Sequence, residues 1–238
     1  VNEGIVQWIG FDADDTLWQN EIVYRRARAS FEAMMAKYGD TAGLDELVGR
    51  TEVENIPFYG YGAVGFALSL IEAGIKKTDG RLSSADVQLL INLSKEMIET
   101  DLPLMDGALE IVSELADQFP LLLITKGDLR HQRAKVEASG LRRFFRAVEV
   151  VPEKKPDDYL ELLHRNGVDA NSFLMIGNSM RSDILPVLAI GGSAILVTNE
   201  LTWQYEAVDA PQPDSSRYIG VDHLSELPSA IRSLTSGR

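Results

Sequence analysis

The sequence contains no cysteine. Disulfide frameworks, thiolate metal sites and cysteine nucleophiles are therefore excluded. Positive charge is also scarce. Lys and Arg number 23 against 36 Asp and Glu, a formal charge of -13. Such a chain has no basic field to steer a nucleic-acid backbone, so no nucleic-acid partner is expected. Small phosphorylated compounds remain open, because a metal and one or two lysines hold them locally. No apolar run approaches the ~20 residues of a membrane span, so no membrane partner is expected. The first residues show no basic stretch leading into an apolar one, so no secretory signal is expected. The chain does not begin with Met, which leaves a processed or truncated start open; a soluble, cytoplasmic protein is the expectation. The three histidines, His131, His164 and His223, share no spacing and read as surface residues.

What is present is an ordinary apolar share, 45% of 238 residues, enough for one large domain or a domain with a smaller insert. The run Ile5 to Phe11 is short and β-rich, as a buried strand is, and Trp8 within it is expected in the core. From about Glu21 to Thr100 the pattern is helical. Val23, Ala27, Phe31, Met34, Met35 and Tyr38 recur at helical spacing, with Gly39 as a stop. A second helix is expected over Asp45 to Glu54, interrupted by Pro57. Phe58 to Gly62 reads as an aromatic-glycine loop, more a structural turn with packed rings than a substrate contact. Helices over Val64 to Ala73, closed by Gly74 and the polar turn Lys77-Thr78-Asp79-Gly80, and over Ala85 to Glu99, capped by Ser83 or Ser84, complete the block.

From Leu104 strands and helices alternate. Strands are expected at Leu121 to Thr125, Ala147 to Val151, Phe173 to Ile176, Ala194 to Val197 and Tyr218 to Val221. Helices are expected at Gly107 to Asp117, Leu129 to Ser139, Pro156 to Asn166, Asp183 to Ala189 and Leu227 to Leu234, with a frayed tail from Thr235. Trp203 and Tyr205, in the loop after Val197, read as packing residues. Alternation of this kind predicts a parallel sheet with helices on both faces, here with a helical insert after the first strand.

The first strand runs into Phe11-Asp12-Ala13-Asp14-Asp15-Thr16-Leu17-Trp18. Aspartate is a poor strand former and is costly to bury unpaired. In extended chain, Asp12 and Asp14 point the same way, toward the carboxyl end of the strand where open α/β sheets keep their ligands. Two such carboxylates stay ionised together only with a cation between them, and oxygen ligands favour a hard ion such as Mg²⁺. A loop whose aspartates cap the next helix or form Asx turns explains the same residues.

This octapeptide resembles the first motif of the haloacid dehalogenase-like hydrolase superfamily, Asp-x-Asp-x-Thr-Leu after a hydrophobic strand. Three further motifs are similar, in order. Thr125 ends a hydrophobic strand, where its hydroxyl and the amides of Lys126 and Gly127 can donate to a phosphoryl oxygen; a Thr helix cap is the other use. Glu153-Lys154-Lys155-Pro156 supplies the motif lysine. Lys154, following Glu, is favoured, with Lys155 next to it; two solvated lysines at a helix start are the plain alternative. Gly177-Asn178 followed by Asp183 resembles the acidic fourth motif, with Asn178 in place of its first Asp. An amide oxygen still ligates Mg²⁺ but adds no charge, which leaves Asp183 as the acidic ligand unless it merely caps a helix.

The resemblance implies an α/β fold: a Rossmann-like parallel sheet core with helices on both faces, and an inserted all-helical cap domain. Residues 1–18 and 102–238 would form the core and 19–101 the cap. It also implies a Mg²⁺-dependent phosphatase for a small phosphorylated metabolite. Asp12 would be nucleophile and Asp14 acid/base, with its pKa raised for the first step. Lys154 would neutralise charge; Thr125, Lys126, Gly127 and Lys155 would bind substrate; Asp12, Asp14, Asp183 and Asn178 would hold the metal. A phosphomutase, a phosphonate hydrolase or a catalytically silent binding protein of the fold are the alternatives. A dehalogenase fits less well, because those enzymes lack the second Asp.

Overall fold

Runs of four to seven mostly apolar residues are too short for buried helices, and here they pair instead. A computed structural model of the chain describes residues 6–199, 201–203, 205–206, 208 and 216–236. Six strands are present among them: β1 (Trp8–Phe11), β2 (Leu121–Lys126), β3 (Phe145–Val151), β4 (Phe173–Gly177), β5 (Ser193–Val197) and β6 (Tyr218–Val221). Every pairing is parallel, in the order β3-β2-β1-β4-β5-β6. Ile5, the expected start of the first strand, lies outside the described residues.

Strand periodicity sorts the side chains into two layers. Ile9, Phe11, Leu121, Leu123, Leu174 and Ile176 face one way. There they meet α5 (Ala108–Ala116), α6 (Leu129–Ala138) and α9 (Leu227–Ser236) through Ile111, Leu115, Val136, Leu227 and Ile231. Leu122, Ile124, Phe173 and Met175 face the other way, onto Tyr159, Leu162 and Leu163 of α7 (Pro156–Arg165) and Val187 of α8 (Leu185–Ala189). Gly10 belongs to this second face. A Cβ there would stand 2.5 Å from the Phe173 ring, so the central strand leaves room for a neighbour's aromatic. Trp8 is only partly buried at the edge of this layer, with the Arg146 guanidinium 6.0 Å from its ring, rather than a core residue.

The chain places β2 and β3 on one side of β1 and β4, β5 and β6 on the other. The order reverses between β1 and β4, and ligands of open α/β sheets gather outside the carboxyl ends of strands at such a point. Both strands end in the polar segments singled out above.

The chain divides into two compact units, residues 1–19 with 102–238, and residues 20–101. The second is all-helical: α1 (Glu21–Met35), α2 (Leu44–Tyr59), α3 (Ala63–Lys77) and α4 (Ser84–Glu99). Val23, Ala27, Phe31 and Met35, each four apart, form the buried stripe of α1. Ser83 caps α4 by accepting from the Asp86 amide at 3.2 Å.

Three helix expectations are corrected. Pro57 does not interrupt α2, which continues to Tyr59. It lies in the last turn, where only the bond to the Val53 carbonyl is lost, and the Gly60 amide still reaches Ile56 O at 2.8 Å. Phe58 and Tyr59 therefore end a helix with exposed rings and are not packed in a loop. Gly74 does not stop α3; it lies inside the helix, close against Leu82 and Phe31, and the helix ends at Lys77, at the expected polar turn. The helix expected from Asp183 starts instead as a widened π turn over Met180–Ile184, followed by α8. Thr235 and Ser236 belong to α9, and the remainder of the expected frayed tail, residues 237–238, lies outside the described residues.

Candidate active site

Asp12 follows β1 directly. Its amide donates to Ile176 O at 2.8 Å, which extends the β1–β4 ladder by one bond and fixes the residue at the switch point. The chain then curls: the Leu17 amide reaches back to Ala13 O at 2.8 Å, and Asp15 adopts φ +61. Aspartate tolerates that left-handed conformation better than bulky residues do. The curl separates the partners of the two aspartates, which extended spacing alone does not foresee.

Asp12 is buried, 7% exposed. One carboxylate oxygen accepts from Thr16 Oγ1 at 3.1 Å, the other from Lys154 Nζ at 2.5 Å. Lys154 also donates to Asp183 Oδ1 at 2.7 Å. One ammonium thus faces two buried carboxylates. Burial raises the Asp12 pKa, Lys154 opposes the rise, and the Asp183 charge adds to it; the balance pushes Asp12 up to about 7. For Lys154, burial alone would lower the pKa, but Asp12 and Asp183 outweigh it and hold it well above its ordinary value.

The two adjacent lysines part company. Lys154 turns inward and is 3% exposed. Lys155 sits exposed at the start of α7, its amide donating to Asp158 Oδ2 at 2.8 Å.

Asp14 has its own lysine. Lys135 Nζ lies 2.8 Å from both of its carboxylate oxygens, Gln132 Nε2 lies 2.9 Å from Oδ2, and Trp18 Nε1 lies 2.6 Å from Oδ1. Burial pulls the Asp14 pKa up. The Lys135 charge and the hydrogen bonds from Lys135, Gln132 and Trp18 outweigh that and hold it below the ordinary carboxylate value. The expected rise is thus found at Asp12 and not at Asp14.

Thr125, at the end of β2, is buried and accepts from Gln132 Nε2 at 3.0 Å. It does not cap α6; Asp128 does, accepting from the His131 amide at 2.8 Å. The Lys126 ammonium points to Ser182 Oγ at 2.9 Å and Glu206 Oε1 at 2.5 Å. Gly127 has φ +128, a conformation that favours glycine.

In the fourth segment, Asn178 Oδ1 accepts from Thr16 Oγ1 at 3.2 Å, so the first and fourth segments share a hydroxyl. Asp183 is not a helix cap. The π turn brings its carboxylate back, where Oδ2 accepts from the Ser179 amide at 3.0 Å while Oδ1 meets Lys154. It lies so close to Gly177 that a Cβ there would stand 2.3 Å from Asp183 Oδ2. Glu206 braces the same turn, accepting from Ser179 Oγ and Ser182 Oγ, each at 2.5 Å.

Sequence reasoning missed Gln132, Lys135, Trp18 and Glu206. Gln132 and Lys135 carried a signal, a polar residue and a cation on the face of α6 that also presents Val136 to the core. Glu206, in an irregular loop, carried none. His164 and His223 are exposed as expected, but His131 is half-buried, and burial and Lys135 lower its pKa. Trp203 and Tyr205 pack on each other at 4.9 Å, and the Arg181 guanidinium lies 4.0 Å from the Tyr205 ring.

The donor set suits a hard cation in kind: carboxylate oxygens of Asp12 and Asp183 and the amide oxygen of Asn178. With both aspartates ionised and Lys154 between them, the buried cluster carries a net negative charge. Burial is the main cause of the raised Asp12 pKa and the Asp183 charge adds to it; a divalent ion among these oxygens would offset both. Among the described residues no three His, Cys, Asp or Glu side chains form a ready-made metal cage.

Comparison with known proteins bears on this geometry. The family model for haloacid dehalogenase-like hydrolases matches residues 6–191. N-acylneuraminate-9-phosphatase from Mus musculus is 27% identical over 136 residues, 55% of this chain and 53% of that protein. The chain thus spans about half the length of the curated relatives it matches. A haloacid dehalogenase-like family hydrolase from Xanthomonas campestris, known from a crystal structure, is 37% identical with a TM-score of 0.85, covering 98% of both chains. Two more distant crystal structures share the fold. The magnesium-bound putative hydrolase YfnB of Bacillus subtilis has 18% identity and TM-score 0.69, covering 95% of this chain and 99% of its own. A 2-haloacid dehalogenase of Pseudomonas syringae has 23% and 0.64, covering 96% and 99%. The family match takes in Asp12, Asp14, Thr125, Lys154, Asn178 and Asp183, the residues that the ends of β1, β2 and β4 and the start of α7 bring to one end of the sheet, and the chain belongs to the haloacid dehalogenase-like hydrolase family.

Proposed function

We propose that the chain hydrolyses a small phosphoric monoester through an aspartyl-phosphate on Asp12. The observation that carries this reading is the pairing of a buried carboxylate at the switch point, Asp12 against Lys154, with a second carboxylate, Asp14, two residues on. The first supplies a nucleophile and the second a group to move a proton. A dehalogenase needs only the first, and the phosphatases among the relatives favour the same choice.

In the first step an Asp12 oxygen bonds to phosphorus as the bond from phosphorus to the ester oxygen breaks. The departing oxygen takes a proton from Asp14. In the second step Asp14 accepts a proton from water, whose oxygen attacks phosphorus. The acyl-phosphate bond breaks and frees phosphate and Asp12. Acting as acid, Asp14 must first take up a proton against the pull of Lys135; the negative charge of an arriving phosphate favours that uptake. Lys154 holds Asp12 in place and offsets charge that builds up on the transferring group. Thr125, with the amides of Lys126 and Gly127, lines the end of β2 for the phosphoryl oxygens. The Lys126 side chain, tied to Glu206, serves structure in this account, and exposed Lys155 is left to the outer part of the site.

Asp12, Asp183, Asn178 and the Asp14 backbone carbonyl would hold Mg²⁺, which when bound neutralises charge on the phosphoryl oxygens. The helical unit, residues 20–101, is assigned as the family's cap and as the seat of substrate choice. Phosphorylated sugar acids are the first natural esters to try, since a relative's name carries one.

The test is hydrolysis of p-nitrophenyl phosphate by wild type and Asp12→Asn, with Mg²⁺ and with chelator, folding being checked by circular dichroism. Turnover that requires both Asp12 and Mg²⁺ supports the reading. A folded wild type that is inert with Mg²⁺ on this ester and on a panel of phosphometabolites refutes it and favours a silent member of the fold.

A further inference from the structure

Helix α6 buries two polar side chains to which the mechanism above assigns no favourable part. Gln132 is 4% exposed, and the Lys135 side chain is 9% exposed. They stand three residues apart on one face. Burying an ammonium is costly unless it is paired, and Lys135 is paired with both oxygens of Asp14 at 2.8 Å. Gln132 does more than add a bond to Asp14. Its single Nε2 lies 2.9 Å from Asp14 Oδ2, 3.0 Å from Thr125 Oγ1 and 2.7 Å from Lys126 O. One amide therefore ties the curl after β1 to the end of β2. Its own Oε1 finds no hydrogen-bond donor among the described residues. A buried acceptor without a partner is destabilising by about 1–3 kcal/mol. Glutamine keeps that cost in exchange for the three contacts of Nε2, which join the Asp14 curl to the end of β2.

The geometry points to Gln132 and Lys135 as positioning residues of the reaction: together they fix the orientation of the Asp14 carboxyl group and hold it in register with Thr125. Neither side chain needs to touch substrate for this role. The inference rests on the reading that Asp14 passes a proton to the leaving oxygen. It adds that the aim of Asp14 is set from α6, with Trp18 Nε1 as the third contact at 2.6 Å.

A leaving-group comparison separates positioning from plain structural support. An alkoxide needs a proton as it departs; p-nitrophenolate leaves without one. The ratio kcat/KM reports the steps up to formation of the phospho-enzyme, where that proton is used. We would measure it for an alkyl phosphate and for p-nitrophenyl phosphate, with Mg²⁺, in wild type, Lys135→Met, Lys135→Arg and Gln132→Leu. Thermal melts confirm that each variant is folded. Gln132→Leu keeps the volume and removes only the amide, so it stands as a second probe if Lys135→Met does not fold.

General acid catalysis contributes about 10²-fold or more, so Gln132→Leu should lose on the order of 10²-fold on the alkyl ester and no more than about 3-fold on the aryl ester; Lys135→Met, which also frees Asp14 to take up its proton, should lose less on the alkyl ester but still clearly more than on the aryl ester. Lys135→Arg should recover most of the alkyl-ester activity. Equal losses on the two esters, or no loss in either folded variant, would overturn the inference. Wild type inactive on both esters would instead bring down the phosphatase reading, and this inference with it.

Discussion

Replacing the nucleophile should make the protein more stable as it makes it inactive. Asp12, Lys154 and Asp183 form a buried cluster with one positive and two negative charges. Asp12 titrates near 7 in the folded chain against an ordinary value of 3.8, chiefly because burial disfavours its charge. The sign follows from linkage. A carboxyl whose folded pKa is raised contributes stability that is complete below its unfolded pKa and is lost as pH rises through the folded value. Wild type should therefore lose stability between about pH 4 and pH 8 on account of this group. A tenfold change in proton affinity corresponds to about 1.4 kcal/mol, so a rise from 3.8 to about 7 sets a ceiling of about 4 kcal/mol. Water penetration and relaxation of the cluster reduce it, and about 1–2 kcal/mol is the working expectation. Asp12→Asn keeps the shape, removes the charge and leaves Lys154 paired with Asp183. Urea unfolding in chelator at pH 5 and pH 8 is the assay. The variant should gain on wild type as pH rises and should be the more stable protein at pH 8. An Asp12→Asn protein less stable than wild type at pH 8, or a difference that does not change with pH, would refute the reasoning.

Other perturbations have separate outcomes. Lys154→Met removes the cation between two buried carboxylates and should cost about 3–5 kcal/mol together with nearly all activity. Lys155→Met, at an exposed position, should change stability by no more than about 0.5 kcal/mol, as urea unfolding would show. Gly10→Ala puts a methyl 2.5 Å from the Phe173 ring and should destabilise by about 1–3 kcal/mol, read as a lowered melting temperature. Glu206→Gln breaks the Lys126 pair. Burial would raise the Glu206 pKa, but Lys126 and the Ser179 and Ser182 hydroxyls hold it below its ordinary value. Its contribution to stability is present above about pH 4.5 and fades as pH falls, so wild type and variant should converge in acid.

How much of the molecule is legible in its sequence depends on whether a feature is local. The strand and helix order can be read because each apolar run carries its own period: Leu121 to Ile124 alternate between two buried layers, and Val23 to Met35 repeat every four residues. The adjacency of Asp12, Thr125, Lys154 and Asp183 follows from family motifs, since each ends or follows an element whose place in the sheet is fixed. Helix ends are misread at Pro57, which a last turn tolerates because only one backbone bond is lost, and at Gly74, which packs against Leu82 and Phe31 inside its helix. The raised pKa expected at Asp14 is found at Asp12 instead. Spacing places both at a strand end, but which one meets Lys135 depends on the curl after Ala13 and on the face of α6, neither of which a motif contains. Glu206 is invisible for the same reason: its partners lie 24, 27 and 80 residues away in the chain.

The central claim is that phosphorus bonds to Asp12 during turnover. The most direct measurement is to quench wild type in the presence of Mg²⁺ and a hydrolysed ester, then reduce the protein with borohydride. The peptide around residue 12 is then read by mass spectrometry. An aspartyl-phosphate is reduced to homoserine, so the account predicts homoserine at position 12, absent without substrate and absent in Asp12→Asn. Homoserine at position 14 instead, or brisk turnover with residue 12 never reduced, would contradict it.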